Sequence, residues 1–175
     1  LIAAGATQIH IERQMRRRTF NLPPGLNSPQ RWARVRDEGE QVTMSVKSIE
    51  GDRIIDQKEA QIVVSDFEQA AELLQLLGCE EKAFQETRRE HWKLDGVDIT
   101  IDEWPFLDPL VEVEGLSEES VKEISERIGL DWAEARFCAV SAIYIEKYSI
   151  TEDRINNQTP RLVFNDPNPF TQPHG

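Results

Sequence analysis

The sequence has few of the residues that build disulfide frameworks and zinc sites. Its 175 residues include only two cysteines, Cys79 and Cys138, which stand far apart and outside any Cys-x-x-Cys motif. The three histidines, His10, His91 and His174, show none of the spacings by which paired ligands hold a metal. The sequence therefore disfavours a disulfide-stapled or zinc-stapled fold, and its low cysteine content is typical of a reducing compartment.

Long apolar runs are also missing. No stretch approaches the ~20 apolar residues that span a bilayer, and no signal peptide is visible near the start. We therefore predict a cytoplasmic protein without a membrane partner. A chain of 175 residues is long enough to bury a core as one domain without disulfides or a structural metal.

Positive charge is scarce in most of the chain, whose formal net charge is -12. Residues 1–36 hold seven arginines and one acid, whereas residues 37–175 hold 13 basic and 31 acidic residues. The arginines stand among strand-like residues and not in a low-complexity tail, and the overall acidity would repel a phosphate backbone. A nucleic-acid partner is therefore disfavoured.

Residues 85–115 carry the clearest pattern in the chain. In two successive strands of period two, one face is apolar, with Val97, Ile99, Ile101, Val111 and Val113. The other face is polar, with Asp98, Thr100, Asp102, Glu112 and Glu114. Two glutamates beside an aspartate favour a face that binds a cation or a cationic ligand, and the alternative is an ordinary solvated face.

The rest of the chain predicts further strands and flanking helices. Strands are expected within residues 8–20, 31–48 (a hairpin with its turn at 37–40) and 57–64. A helix is expected after Ser65, which would cap it in a capping box with Glu68, and two more near Ser117 and from Val140 to Tyr148. From Thr151 the composition predicts a tail that is mostly on the surface or disordered, with an apolar anchor at residues 161–164.

Several antiparallel strands each have one charged face, and the flanking helices must bury their apolar stripes against the sheet. A closed sheet satisfies both requirements most simply. Apolar faces would then point out toward the helices, and charged faces would line a central tunnel. The lining would contain Arg34, Arg36, Lys47, Arg89, Glu59, Asp102, Glu112 and Glu114. Charges of both signs can be compensated by internal ion pairs, or by a triphosphate with Mg2+ or Mn2+, whose phosphates suit the cations and whose metal suits the carboxylates.

At these residues the sequence resembles the CYTH family, which includes class IV adenylyl cyclases, thiamine triphosphatases and inorganic triphosphatases. The resemblance covers about residues 1–165 and rests on the fragments 34–36, 44–47, 59, 86–92, 99–102 and 111–114. It implies an α+β fold, an antiparallel eight-stranded tunnel-like barrel with flanking helices. By resemblance, phosphates are held by Arg34, Arg36, Lys47 and Arg89. Mg2+ or Mn2+ is held by Glu112 and Glu114 with Asp102 nearby, and Glu59 supports the site.

The sequence departs from the family pattern at two places. The Glu-x-Glu-x-Lys signature of the first strand does not occur, and Leu1–Ala6 resemble the end of the helix that follows that strand. We therefore expect this chain to lack the first strand together with the family lysine, so that its catalytic residue is unassigned. Thr87 also stands where many members have a lysine.

The resemblance leads to an explicit set of expectations for function. Residues 1–150 would form a triphosphate-binding domain and residues 151–175 a tail that is partly anchored or disordered. The expected activity is metal-dependent hydrolysis of inorganic triphosphate or a nucleoside triphosphate, in a monomer or homodimer whose partner is a small molecule containing a triphosphate. The alternatives are a class IV adenylyl cyclase that makes cyclic AMP from ATP and a non-catalytic phosphate-binding module.

Overall fold

The computed structural model describes residues 1–28, 31–49 and 57–171. The strands among these residues are β1 (Thr7–Asn21), β2 (Arg31–Asp37), β3 (Val42–Ile49), β4 (Gln57–Val64), β5 (Glu80–Leu94), β6 (Val97–Glu103), β7 (Leu110–Glu114) and β8 (Arg161–Leu162). The helices are α1 (Phe67–Leu76), α2 (Glu118–Arg127), α3 (Val140–Tyr148) and α4 (Glu152–Asn157), with short 3-10 turns at Ile2–Ala4 and Trp132–Glu134. None of these helices has the length and apolar character needed to cross a bilayer.

The strands form one sheet in the order β4-β3-β2-β1-β5-β6-β7, and β8 runs parallel to β5 at its side. The pairs β1–β2, β2–β3, β3–β4, β5–β6 and β6–β7 are antiparallel. The predicted α+β class with an antiparallel sheet is thus confirmed. Hydrogen bonds among the described residues do not join the two ends of this path, β4 and β7, so tunnel closure stays a prediction.

The chain divides into two compact units. We call Leu1–Arg13, Thr87–Asn156 and Asn168–Gly175 the first unit, and Gln14–Glu86 with Asn157–Pro167 the second unit. The first unit contains β6, β7, α2 and α3. The second contains β2, β3, β4, α1 and β8.

The core of the first unit lies on the apolar face of β5 and β6. Its buried members are Trp92, Leu94, Val97, Ile99 and, from α2, Ile124. The predicted alternation holds over the first four residues of β6, because Val97 and Ile99 are buried while Asp98 and Thr100 remain partly accessible. It does not extend to Asp102, which is 1% exposed, or to Val111 on β7, which is 43% exposed.

A two-residue turn sets the register of β5 against β6. Asp95 and Gly96 both have positive φ, 47° and 86°, the combination that type I′ hairpins require. With only these two residues in the turn, Leu94 pairs with Val97 and, further along the ladder, Arg89 pairs with Asp102. The turn sequence therefore determines which carboxylate stands opposite which cation.

The core of the second unit lies between β1, β2 and α1. Its buried residues are Phe20, Ala33, Val35, Phe67, Ala70, Ala71, Leu74 and Cys79. The helix predicted after Ser65 is confirmed, but the predicted cap is wrong. Asp66, not Ser65, is the N-cap, and its Oδ1 accepts a hydrogen bond from Gln69 N at 2.7 Å. Aspartate is at least as good an N-cap as serine, so adjacent candidates are not separable by residue type.

The C-terminal segment contains more regular structure than its composition predicts. At the predicted anchor, residues 161–164, Leu162 and Val163 are 1% and 2% exposed. Helix α4, which buries Ile155, was not predicted. Residues 172–175 of the predicted tail lie outside the described part.

Candidate functional site

The polar face of the first unit centres on Arg89. Its Nε donates to Asp102 Oδ1 at 2.5 Å, and its Nη2 donates to Asp102 Oδ2 at 2.5 Å and to Glu112 Oε2 at 3.0 Å. Thr100 Oγ1 donates a further hydrogen bond to Asp102 Oδ2 at 3.3 Å. The bidentate contact fixes the plane of the guanidinium, so Asp102 orients Arg89 on this face.

Burial differs sharply within this cluster. The Asp102 side chain is 1% exposed, whereas the side chains of Arg89 and Glu112 are 28% and 40% exposed. Asp102 thus forms the base of the cluster, and Arg89 and Glu112 are accessible to a ligand.

Negative charge is in excess around Arg89. Burial lowers the pKa of Arg89, but the hydrogen bond from Arg89 to Asp102 and the charges of Asp102, Glu112 and Glu114 outweigh it, and the net shift is upward. Burial raises the pKa of Glu112, and the charge of Asp102 raises it further, against a smaller downward effect of Arg89. One guanidinium therefore does not neutralise these carboxylates, which is the electrostatic condition under which an added cation binds well.

The three carboxylates predicted to bind metal do not have equivalent surroundings. Asp102 is held by Arg89, Glu112 shares the same guanidinium, and Glu114 is exposed at the end of β7, opposite Asp98. Over the described residues, no three His, Cys, Asp or Glu side chains converge as a metal-binding group. The geometry therefore separates the deeply held Asp102 from the more accessible Glu112 and Glu114.

A second polar network on the same face was not predicted from the sequence. His91 Nε2 lies 2.8 Å from Asp98 Oδ1, and Lys93 Nζ lies 3.2 Å from Asp98 Oδ2. The rings of His10 and His91 are 5.9 Å apart. The available signal was the alternation Arg89, His91, Lys93 on β5, which continues the polar face of β6 onto its neighbour.

In the second unit the predicted phosphate ligands carry acidic partners. Arg34 Nη2 donates to Glu59 Oε1 at 3.1 Å. Arg36 pairs with Glu38, a residue of the β2–β3 turn that was not predicted to be part of the site. Lys47 pairs with Glu59 in the β3–β4 register. The structure thus brings Arg34, Lys47 and Glu59 to neighbouring positions on adjacent strands.

These side chains lie on the part of the chain that matches a known family. The CYTH domain family model matches residues 10–140, three quarters of the sequence. This chain belongs to the CYTH family. A search of the curated proteins gives no match.

Several solved structures share the CYTH fold of this chain. A conserved hypothetical protein from Pyrococcus furiosus is 19% identical with a TM-score of 0.61. The match covers 77% of this chain and 83% of the Pyrococcus furiosus chain. A protein from Pyrococcus horikoshii is 20% identical with a TM-score of 0.62, and the match covers 77% of this chain and 84% of that protein's chain. A candidate adenylate cyclase from Vibrio parahaemolyticus is 14% identical with a TM-score of 0.65, and the match covers 79% of this chain and 84% of that protein's chain. At these identities the similarity establishes the fold.

The raised pKa of Glu112 in this CYTH domain leads to a stability prediction. The folded protein holds the Glu112 proton to higher pH than the unfolded chain does, so folding becomes less favourable as pH rises from the ordinary value of 4.5 through the raised pKa. Without metal, Glu112→Gln is therefore expected to gain stability relative to the parent as pH rises from 4 to 7. The gain should stay below ~1 kcal/mol, because the side chain is 40% exposed.

Urea titrations of both proteins across this pH range measure the difference. Glu126→Gln, at an exposed position on α2, is the matched control and should show no such trend. A Glu112→Gln variant that loses stability as pH rises would show that Arg89 needs the Glu112 charge.

Proposed function

We propose that this protein hydrolyses the terminal phosphoryl group of a triphosphate, with Mg2+ or Mn2+. The observation that carries the proposal is the Arg89 cluster of a CYTH domain. An accessible arginine held rigidly by a buried aspartate is suited to grip phosphate oxygens, and the accessible carboxylates beside it are suited to a hard divalent cation. Inorganic triphosphate and nucleoside triphosphates both present these groups.

The carboxylates of Glu112 and Glu114 fit Mg2+ or Mn2+ if substrate phosphate oxygens and water supply the remaining ligands. Mg2+ is commonly held by one or two protein carboxylates, with substrate phosphate oxygens and water completing its shell. Glu112 and Glu114 supply such a pair. Burial raises the pKa of Glu112, and the charge of Asp102 raises it further, a charge that a bound cation would offset. Bound there, the metal would offset the charge that develops on the phosphate oxygens. Asp102 would act through Arg89, by orienting it.

The arginines of the second unit would bind phosphate by exchanging partners. Arg34 and Arg36 each pair with a carboxylate, Arg34 with Glu59 and Arg36 with Glu38. Phosphate oxygens accept hydrogen bonds from a guanidinium as carboxylate oxygens do, and a triphosphate carries more negative charge than one glutamate. A triphosphate can therefore displace these glutamates from the guanidinium groups. Lys47, next to Glu59 in register, would add a third cation.

The reaction itself requires little covalent chemistry from the protein. A water oxygen forms a bond to the terminal phosphorus, the bond from that phosphorus to the bridging oxygen breaks, and pyrophosphate or a nucleoside diphosphate leaves. In the first unit Arg89 would hold phosphate oxygens and stabilise their charge. The resemblance gives the same role to Arg34, Arg36 and Lys47 of the second unit.

Product analysis tests the proposal directly. The protein is incubated with tripolyphosphate or ATP in the presence of Mn2+ or Mg2+, and the products are separated by mass. Phosphate released together with pyrophosphate or ADP supports the hydrolase. Cyclic AMP with pyrophosphate would make the protein a cyclase, and tight tripolyphosphate binding without turnover under either metal would make it a binding module.

Arg34→Ala is expected to weaken tripolyphosphate binding about tenfold, ~1.5 kcal/mol, the low end of the range for a charge-assisted hydrogen bond, because Glu59 competes for this arginine. Isothermal titration calorimetry measures the change, and a urea melt checks folding. The matched control is Arg16→Ala, which removes an exposed arginine paired with Asp37. Equal losses in the two variants would point to a non-specific charge effect and remove Arg34 from the site.

A further inference from the structure

His91 occupies a distinctive position on the polar face of the first unit. It follows Arg89 by two residues on β5, so both side chains leave the same face of the strand about 7 Å apart along it. Its Nε2 is within hydrogen-bond distance of Asp98 Oδ1, 2.8 Å away. The side chain is 25% exposed and therefore reachable by a ligand.

Asp98 holds the imidazole in one orientation. Burial raises the pKa of Asp98, but the hydrogen bonds and charges of His91 and Lys93 outweigh it and the net shift is downward, so Asp98 stays an ionised acceptor through the range in which histidine titrates. With Nε2–H donating to Asp98, Nδ1 is the ring nitrogen that gains or loses the second proton. A protonated His91 can donate from both nitrogens at once.

The charges around His91 come from four strands. On β5 these are Arg89 and Lys93, and on β1 the neighbouring titratable group is His10. The acids on β6 and β7 are Asp98, Asp102, Glu112 and Glu114. Asp98 is the acid within hydrogen-bond distance of the imidazole, and the other three acids stand at further positions of β6 and β7.

We propose that His91 is a pH-gated phosphate ligand of this site: its imidazolium, held by Asp98, donates Nδ1–H to an oxygen of the phosphate chain that Arg89 grips. This inference rests on the proposed function and adds a proton to its binding step. Because only the protonated ring donates from Nδ1, affinity for the phosphate chain falls as pH rises through the pKa of His91. By the same linkage, the bound phosphate chain raises that pKa.

Imidazole NMR of the intact, metal-free protein tests the proposal. The three histidines are titrated between pH 5 and 9 with and without saturating tripolyphosphate, and His91→Gln identifies the resonance. We expect tripolyphosphate to raise the pKa of His91 by about one unit. This shift is equivalent to about tenfold weaker tripolyphosphate binding when His91 is neutral than when it is protonated. His10, whose ring centroid is 5.9 Å from that of His91, is followed in the same spectra.

Calorimetry across the same pH range separates the protein proton from those of tripolyphosphate itself. The ligand titrates identically with the parent and with His91→Gln, so the additional pH dependence of the parent belongs to His91. Asp98→Asn should move the fall in tripolyphosphate affinity to lower pH, because the imidazolium loses its carboxylate partner.

Two failures are distinguishable. If tripolyphosphate binds and the pKa of His91 does not move, the inference is overturned while the proposed function stands. If tripolyphosphate does not bind the parent at any pH, with or without Mn2+, the proposed function fails and this inference fails with it. The titration itself uses the parent protein. If His91→Gln does not fold, His10→Gln and His174→Gln assign the other two resonances and leave that of His91.

Discussion

Asp102→Asn is expected to lower the free energy of unfolding by about 3 kcal/mol, near the lower end of the 3–5 kcal/mol typical when one partner of a buried ion pair is removed. Asp102 is 1% exposed and accepts two hydrogen bonds from Arg89. An asparagine offers one acceptor oxygen and no charge, so it leaves the guanidinium poorly compensated. Glu112 still pairs with Arg89 in the variant, which keeps the loss from being larger.

The matched control for Asp102 is its neighbour on β6. Glu103→Gln removes the charge of a residue that is 35% exposed and pairs with Arg88, so it should cost less than ~1 kcal/mol. Urea denaturation at neutral pH compares the two variants. Equal small losses would mean that Asp102 does not hold a buried charge.

A double replacement sharpens the result. Arg89→Met with Asp102→Leu removes both charges and should recover much of the stability, because apolar residues of similar volume can replace a buried ion pair at little cost. The same protein should lose tripolyphosphate binding. Recovered folding with lost binding would indicate that the pair is kept for the ligand.

The second large effect is expected from metal. Mn2+ at about 100 times its dissociation constant should stabilise the parent by roughly 2.7 kcal/mol. Glu114→Gln should lose most of this increment, because the proposed metal site then keeps one of its two carboxylates. Thermal melts with and without Mn2+ measure the increment, and Glu103→Gln should retain it. A Glu114→Gln variant that keeps the full increment would place the metal elsewhere.

The polar face of each strand could be predicted from the sequence. The pairing of individual polar side chains was harder to predict. Period-two alternation and the two-residue turn at Asp95 and Gly96 fix the register of β6 against β5, so the placement of Asp102 opposite Arg89 follows from local rules. The same rules predicted the hairpin that carries Arg34 and Arg36. These features depend on backbone geometry, which short-range sequence specifies well.

Side-chain partners were harder to predict because long, flexible side chains choose among several acids. Glu38 lies in a turn and pairs with Arg36, which alternation does not reveal. His91 and Asp98 are seven residues apart in sequence and meet only through the β5–β6 register, so no metal-type or catalytic spacing indicated them. Their assignment required the three-dimensional positions of rotamers that the sequence pattern leaves open.

The burial of Leu162 and Val163 has a consequence for biosynthesis. The second unit combines Gln14–Glu86 with Asn157–Pro167, and β8 pairs with β5 across about 77 residues of intervening chain. Because domains fold as their residues emerge from the ribosome, this unit cannot be completed until some ninety residues beyond the end of its own helix α1 have been made. Until then β5 lacks its β8 partner along Phe84 and Gln85. The nascent chain therefore passes through a period in which this segment is open to chaperones, and translation speed over residues 87–160 sets how long that period lasts.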